Sequence, residues 1–115
     1  MRSRRITDIV LIIAVIIYAE SLFGPVRPMI VMSRSMEPVL RTGTIIIGRK
    51  VDDKTTLQVG DVCTYKPYEE SYTVTHRIEG ISPDGYVFKG DNNKTCDPAQ
   101  VVRDQILYRI IYPDI

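Results

Sequence analysis

The chain has 115 residues, 44% hydrophobic and 25% charged, which suits one compact domain and argues against a disordered or collagen-like chain. Its 15 lysines and arginines nearly balance 14 acidic residues, so the net charge of +1 gives no electrostatic attraction for nucleic acid. We therefore expect a globular domain without a nucleic-acid partner.

The N-terminal segment 1–24 is more basic and more apolar than the remainder. Three arginines in the first five residues precede the uncharged run Ile9–Ala19, which Asp8 and Glu20 bracket. These eleven residues would cover about 16 Å of a bilayer core that is ~30 Å thick, whereas Ile6–Phe23 would cover about 27 Å. The pattern favours a transmembrane anchor, with a cleaved secretory signal and a buried core helix as alternatives.

The same arginines predict which side of the membrane the N-terminus would occupy. Basic residues before a membrane span favour the cytoplasmic side, so the sequence predicts a single-pass membrane protein with a cytoplasmic N-terminus. Residues 25–115 would then form an extracytoplasmic domain, with membrane lipid as one of its partners.

The remainder of the chain has the pattern of a β domain. Gly24 and Pro25 end the helical pattern, and short runs of β-branched and aromatic residues follow, separated by turn residues. These runs are Met29–Met32, Thr44–Val51, Val62–Lys66, Tyr72–Ile81, Tyr86–Lys89 and Ile106–Tyr112. The turn at Ser82–Gly85 predicts a hairpin between the fourth and fifth runs, and about 90 residues suffice for a small barrel-like core.

His76 is the single histidine of the sequence, so any histidine chemistry must use it. Period-two alternation places His76 with Val74 and Ile78 on the more apolar face of its predicted strand. A buried imidazole there is either a structural residue or a neutral group able to accept a proton as a general base.

Two further segments carry polar residues at predicted turns. Ser33-Arg34-Ser35-Met36-Glu37-Pro38 follows the first strand run, where a serine can be a nucleophile or simply part of a polar turn. Gly90-Asp91-Asn92-Asn93 follows the fifth run and is typical of a tight turn, with Asp97 six residues after Asp91.

Together these motifs resemble type I signal peptidases. The resemblance is greatest to the branch of the family found in archaea, the endoplasmic reticulum and sporulating Gram-positive bacteria. The segments that carry it are Ser-x-Ser-Met-x-Pro, His-Arg-Ile at 76–78 and Gly-Asp-Asn-Asn. That branch uses histidine where most bacterial enzymes use lysine. The resemblance implies a mainly β fold: an N-terminal transmembrane helix followed by a small coiled β-barrel catalytic domain.

The resemblance also implies roles for individual residues. Ser35 would be the nucleophile, His76 its general base, and Asp97 or Asp91 the acid that orients the imidazole, with Asp97 favoured. Ser33 and the backbone of Ser35 would form the oxyanion hole.

The implied substrates are the signal peptides of secreted preproteins, bound as an extended strand along Val31, Met32, Ser33 and Thr75. The resemblance implies no organic cofactor and no metal, and leaves room for other peptidase subunits as partners. Small side chains before the cleaved bond would be selected in shallow pockets.

Alternatives remain at this point. Lys89 or Lys94 would be the base in a Ser–Lys mechanism, although His76 occupies the position before Arg77 where lysine would stand. A noncatalytic, membrane-anchored β module that binds peptides or peptidase subunits is the competing function. The two cysteines of the sequence are either a disulfide pair or free thiols.

Overall fold

The computed structural model of the chain describes residues 2–115. One α-helix is followed by six β-strands that form a single sheet. The elements are α1 (Arg2–Phe23), β1 (Val26–Ile30), β2 (Ile45–Lys50), β3 (Val62–Tyr65), β4 (Val74–Ser82), β5 (Gly85–Lys89) and β6 (Ile106–Tyr112), with a short 3₁₀ turn at Arg103–Gln105 before β6.

All six predicted strand runs are present as strands. The first begins three residues earlier than predicted, at Val26, and passes through Pro28, which pairs with Ile47 of β2. Proline is tolerated there because β1 is an edge strand, which has a neighbouring strand on one side only. The predicted hairpin of β4 and β5 is confirmed, with Ser82 opposite Gly85.

The sheet has the order β1-β2-β6-β3-β4-β5, and every neighbouring pair is antiparallel. Within residues 2–115 it is an open sheet with β1 and β5 at its edges, so the predicted β-barrel is wrong. Closure would require hydrogen bonds between these two strands. Hydrophobic alternation predicts the strands themselves, but it does not predict whether the two edge strands pair with each other to close the sheet.

The predicted transmembrane anchor is also wrong, and with it the single-pass membrane localisation. No helix among the described residues is long and apolar enough to cross a membrane. Asp8 and Glu20 confine the uncharged part of α1 to eleven residues, about half of what a bilayer core needs.

The helix does not form part of the hydrophobic core either. The large apolar side chains described on α1, from Ile6 to Leu22, are all at least 51% exposed. The alternative of a buried core helix is therefore contradicted as well.

Two hydrophobic clusters lie on the sheet. The first is made of residues from β3, β4, β5 and β6 and from the segments before β3 and β6: Leu57, Cys63, Tyr65, Ile78, Phe88, Val101 and Ile106. The second joins the sheet to the turn after β1: Val31, Met36, Leu40, Ile46, Val62 and Ile110. Of the site residues predicted from the sequence, His76 lies on β4, Ser33 and Ser35 lie in the segment after β1, and Asp91 and Asp97 lie in the segment after β5.

Candidate active site

Ser35 lies in the turn that follows β1, and the residues after it are anchored in the core. Met36 and Leu40 are 2% and 1% exposed, and the Leu40 N–H donates to the Met36 carbonyl at 2.9 Å. Ser35 itself stays partly accessible. A deeply buried neighbour therefore fixes a serine that faces solvent, as a nucleophile requires.

His76 lies on β4 directly opposite Cys63 of β3. It is 8% exposed and shares the buried face of β4 with Ile78, as the alternation predicts. Its Nε2 lies 2.9 Å from the Ser35 Oγ, although 41 residues separate the two in the sequence.

Asp97 contacts the other side of the same imidazole. His76 Nδ1 is 2.9 Å from Oδ1 and 2.7 Å from Oδ2 of Asp97, and both side chains are 10% exposed. The Asp97 N–H donates to the Phe88 carbonyl at 2.8 Å, which fixes the backbone that carries the carboxylate.

These contacts determine where the protons lie. A carboxylate only accepts hydrogen bonds, so Nδ1 of His76 carries the hydrogen and donates it to Asp97. Nε2 is then the acceptor for the Ser35 hydroxyl. The Ser33 hydroxyl, whose Oγ lies 2.9 Å from the Ser35 Oγ, has Ser35 as its acceptor.

Asp91, the other candidate acid, lies elsewhere. Arg77 donates from Nε to its Oδ1 at 3.0 Å and from Nη2 to its Oδ2 at 2.8 Å, a two-pronged ion pair. The Asp91 backbone N–H donates to the Met36 Sδ at 3.4 Å. Two further hydrogen bonds with the Ser35 turn come from the next residue: the Asn92 backbone N–H donates to the Ser35 carbonyl at 2.8 Å, and its side chain donates to the Arg34 carbonyl at 3.0 Å.

Gly90 lies where the loop after β5 passes closest to the serine and the histidine. A Cβ added at Gly90 would lie 2.7 Å from the Ser35 carbonyl oxygen and 3.0 Å from the His76 Nε2. Only a residue without a side chain fits between these two groups.

A groove of about 420 Å³ opens beside Ser35. Its walls are the segment after β1 and the beginning of β4, and they include all four predicted substrate-binding residues: Val31, Met32, Ser33 and Thr75. Met32 is 83% exposed, and the hydroxyl of Thr75 is 2.7 Å from that of Thr64.

The lysines proposed as alternative bases make no hydrogen bond with Ser35 in the part of the chain that the structure describes. Lys89 donates to the Gly90 carbonyl at 3.3 Å. The two cysteines are free thiols, Cys63 buried and Cys96 exposed.

Sequence reasoning missed Tyr65, whose hydroxyl donates to Oδ2 of Asp97 at 2.6 Å. Alternation along β3 gives only part of the signal for it, because the register between β3 and β4 must also be known. Cys63 and Tyr65 are two residues apart on β3 and share a face, and Cys63 pairs with His76. A correct register would have placed Tyr65 within reach of the histidine and its acid.

A serine, a buried histidine and an aspartate are thus joined by hydrogen bonds, with the histidine held on an antiparallel sheet. Serine peptidases with a Ser–His–Asp triad have this arrangement of side chains. No protein-family model matches the chain. Among curated proteins, Signal peptidase I W of Bacillus subtilis (strain 168) is 39% identical over 80 residues, covering 66% of this chain and 42% of that protein.

The chain is thus a relative of the type I signal peptidases, as its motifs predicted. It spans less than half the length of the curated relative that it matches.

Proposed function

We propose that the chain is a serine endopeptidase that cleaves the signal peptides of preproteins, with Ser35 as nucleophile, His76 as general base and Asp97 as the acid that orients it. The continuous hydrogen-bond chain from Ser35 Oγ through the imidazole to the Asp97 carboxylate is the observation that carries this proposal. The similarity to Signal peptidase I W supports the substrate class.

In the first step, the Ser35 Oγ attacks the carbonyl carbon of the cleaved peptide bond while its proton passes to the His76 Nε2. Asp97 accepts the hydrogen bond from Nδ1 and stabilises the imidazolium ion that forms. Breakdown of the tetrahedral intermediate breaks the C–N bond, and the leaving amine takes the proton from Nε2. Water, activated by the same imidazole, then hydrolyses the acyl-enzyme.

The negative charge on the tetrahedral intermediate needs donors close to the nucleophile. The Ser35 backbone N–H and the Ser33 hydroxyl are the nearest candidates, since the Ser33 Oγ is 3.4 Å from the Ser35 N. Removal of one oxyanion donor typically lowers the rate by ~10²–10³.

Strand addition explains how such a site would bind many peptide sequences. In the described chain β5 pairs with β4 only from Arg77 onward, so the beginning of β4 has no strand neighbour on that side. The groove beside Ser35 runs along this unpaired part, and main-chain hydrogen bonds there would not depend on side-chain identity.

The test is cleavage of a fluorogenic peptide that spans a signal-peptide cleavage site with small residues before the cut. We expect Ser35→Ala and His76→Ala to abolish cleavage, because they remove the nucleophile and its base. Asp97→Asn should lower kcat about 10⁴-fold, which is the effect expected when the acid of a triad is lost.

Lys89→Met and Asp91→Asn are the matched controls. The Lys89 variant should keep its activity, whereas a chain that loses cleavage with Lys89→Met and keeps it with His76→Ala would contradict the proposed base. If Asp91→Asn has the larger effect on kcat, the proposed acid is wrong. No cleavage by the parent chain under any tested condition would contradict the proposed function.

A further inference from the structure

We infer that Tyr65 is a positioning residue that holds the Asp97 carboxylate against His76 by a neutral hydrogen bond. The turnover part of its test rests on the proposed function. The orientation of the carboxylate and its effect on the imidazole do not, because both can be measured without any substrate.

The contact is short, and the residues on both sides are held firmly. The Tyr65 hydroxyl donates to Oδ2 of Asp97 at 2.6 Å, and this oxygen is also the one nearer to the His76 Nδ1, at 2.7 Å. Tyr65 is 6% exposed, so little water competes for the carboxylate at this point.

Phe88 supports both partners. Its ring, fully buried, packs against the Tyr65 ring with centroids 4.7 Å apart and planes inclined by 37°. Its carbonyl accepts the N–H of Asp97 at 2.8 Å. The phenol ring and the carboxylate are therefore fixed relative to the same residue of β5, which leaves the hydroxyl little freedom to turn away.

The electrostatic surroundings explain why a phenol suits this place. Tyr65, His76 and Asp97 line a pocket of about 390 Å³, where the other ionisable side chains are Tyr68, Glu70 and Tyr72, and no lysine or arginine of the described chain lines it. A cationic donor would neutralise Asp97 and weaken its attraction for an imidazolium ion. A neutral donor fixes the carboxylate without cancelling its charge, so most of that charge still acts on His76.

The phenol remains a donor at alkaline pH. Burial, and then the hydrogen bond to Asp97, raise the pKa of Tyr65 above its ordinary value, since a phenolate would be poorly solvated and would lie next to a carboxylate. The hydroxyl therefore keeps the hydrogen that it donates throughout the pH range in which a histidine titrates.

Two consequences of losing the hydroxyl follow. In Tyr65→Phe the Asp97 charge is no longer shared with a donor, so it should stabilise the protonated imidazole more strongly. The carboxylate should also become less well oriented, so His76 is held less precisely. The first effect shifts a titration curve, and a purely structural role for Tyr65 would not.

The experiment is an NMR titration of the imidazole in the full-length chain without a polyhistidine tag. His76 is the only histidine of the sequence, so its signals need no further assignment. We expect Tyr65→Phe to raise the midpoint of its titration above that of the parent chain, because Asp97 loses the donor that competes with His76 for its charge. Asp97→Asn should lower the midpoint.

Tyr86→Phe is the matched control. Tyr86 is a half-buried tyrosine of β5 that packs against the same cluster, and its hydroxyl makes no hydrogen bond with Asp97 in the described chain. Loss of this hydroxyl should leave the midpoint unchanged. In the peptide assay, Tyr65→Phe should lower kcat about tenfold with little change in KM and move the acid limb of the pH profile to higher pH.

An unchanged or lowered midpoint in Tyr65→Phe would overturn the inference, as would an equal rise in Tyr86→Phe. A parent chain that cleaves no peptide contradicts the proposed function alone, since the titration midpoints still decide the role of Tyr65. A lowered kcat with parental midpoint and acid limb would assign Tyr65 a structural role and overturn the inference as well.

Discussion

At Gly90 the site has no room for a side chain. Its missing side chain leaves room for the Ser35 carbonyl and the His76 Nε2, both within 3.0 Å of where a Cβ would lie. One of these is a backbone atom held by the Asn92 N–H, so it cannot simply turn away. We expect Gly90→Ala to displace the serine from the histidine and to lower kcat about 10²-fold, as a displacement of ~1 Å often does.

Gly80→Ala on β4 provides the control. The nearest atom to an added Cβ there is the Val87 Cβ at 4.0 Å, an ordinary contact, so activity and melting temperature should stay close to those of the parent. Peptide cleavage and thermal unfolding of the two variants are compared side by side. Parental kcat in Gly90→Ala would contradict the steric argument.

The residues of the candidate site differ in how far the sequence predicted them. Strand alternation correctly placed His76 on a buried face. The likeness to signal peptidases named both Asp91 and Asp97, but the choice between them depends on how the loop after β5 turns. Folding of this loop brings Asp97 to the imidazole. Tyr65 was missed because its role arises from the register of β3 and β4, which no local pattern specifies.

At the scale of elements, one ion pair joins β4 to the loop after β5. Arg77 makes two parallel hydrogen bonds with Asp91, and its Nη1 also donates to the Gly60 carbonyl at 2.7 Å. Lysine cannot reproduce this fork. We expect Arg77→Lys to destabilise the fold by about 1–2 kcal/mol and to lower the melting temperature by roughly 5 °C.

The loop held by this pair also holds the Ser35 carbonyl through Asn92, so kcat should fall together with stability. Arg109→Lys is the control, since the Arg109 Nη1 makes a single hydrogen bond, to the Thr56 carbonyl. Calorimetry and peptide cleavage on both variants test the difference. Equal melting temperatures for the two lysine variants would show that the fork adds no stability.

The elements themselves were largely predictable, whereas their assembly was not. Six strands followed from β-branched and aromatic runs between turn residues, and the Ser82–Gly85 turn predicted its hairpin. Because of the proline at position 28, the sequence pattern predicts the start of β1 three residues too late. Proline interrupts a central strand but is tolerated in an edge strand such as β1. The open sheet order brings β6 between β2 and β3, a long-range arrangement that local patterns do not contain.

At the scale of the whole molecule, stability should depend on the buried groups that ionise at alkaline pH. Burial raises the pKa of Cys63 from 9.0 to about 12, and the pKa of Tyr65 lies above its ordinary 10.0 as well. Unfolding exposes both groups to water and returns their pKa values toward the ordinary ones. Above pH 9.0 the unfolded chain therefore binds fewer protons than the folded one, and stability falls as pH rises.

The expected loss is roughly 1 kcal/mol per pH unit for Cys63 alone between its unfolded and folded pKa values, with Tyr65 adding to it above about pH 10. Urea unfolding at several pH values measures this slope. Cys63→Ala should make the dependence of the unfolding free energy on pH shallower, even though the lost sulfur lowers stability at neutral pH. Tyr65→Phe should make it shallower only at the most alkaline pH values. Cys96→Ala, which removes an exposed thiol, should keep the parental slope, and an equally shallow slope in that variant would mean that burial of Cys63 is not the cause.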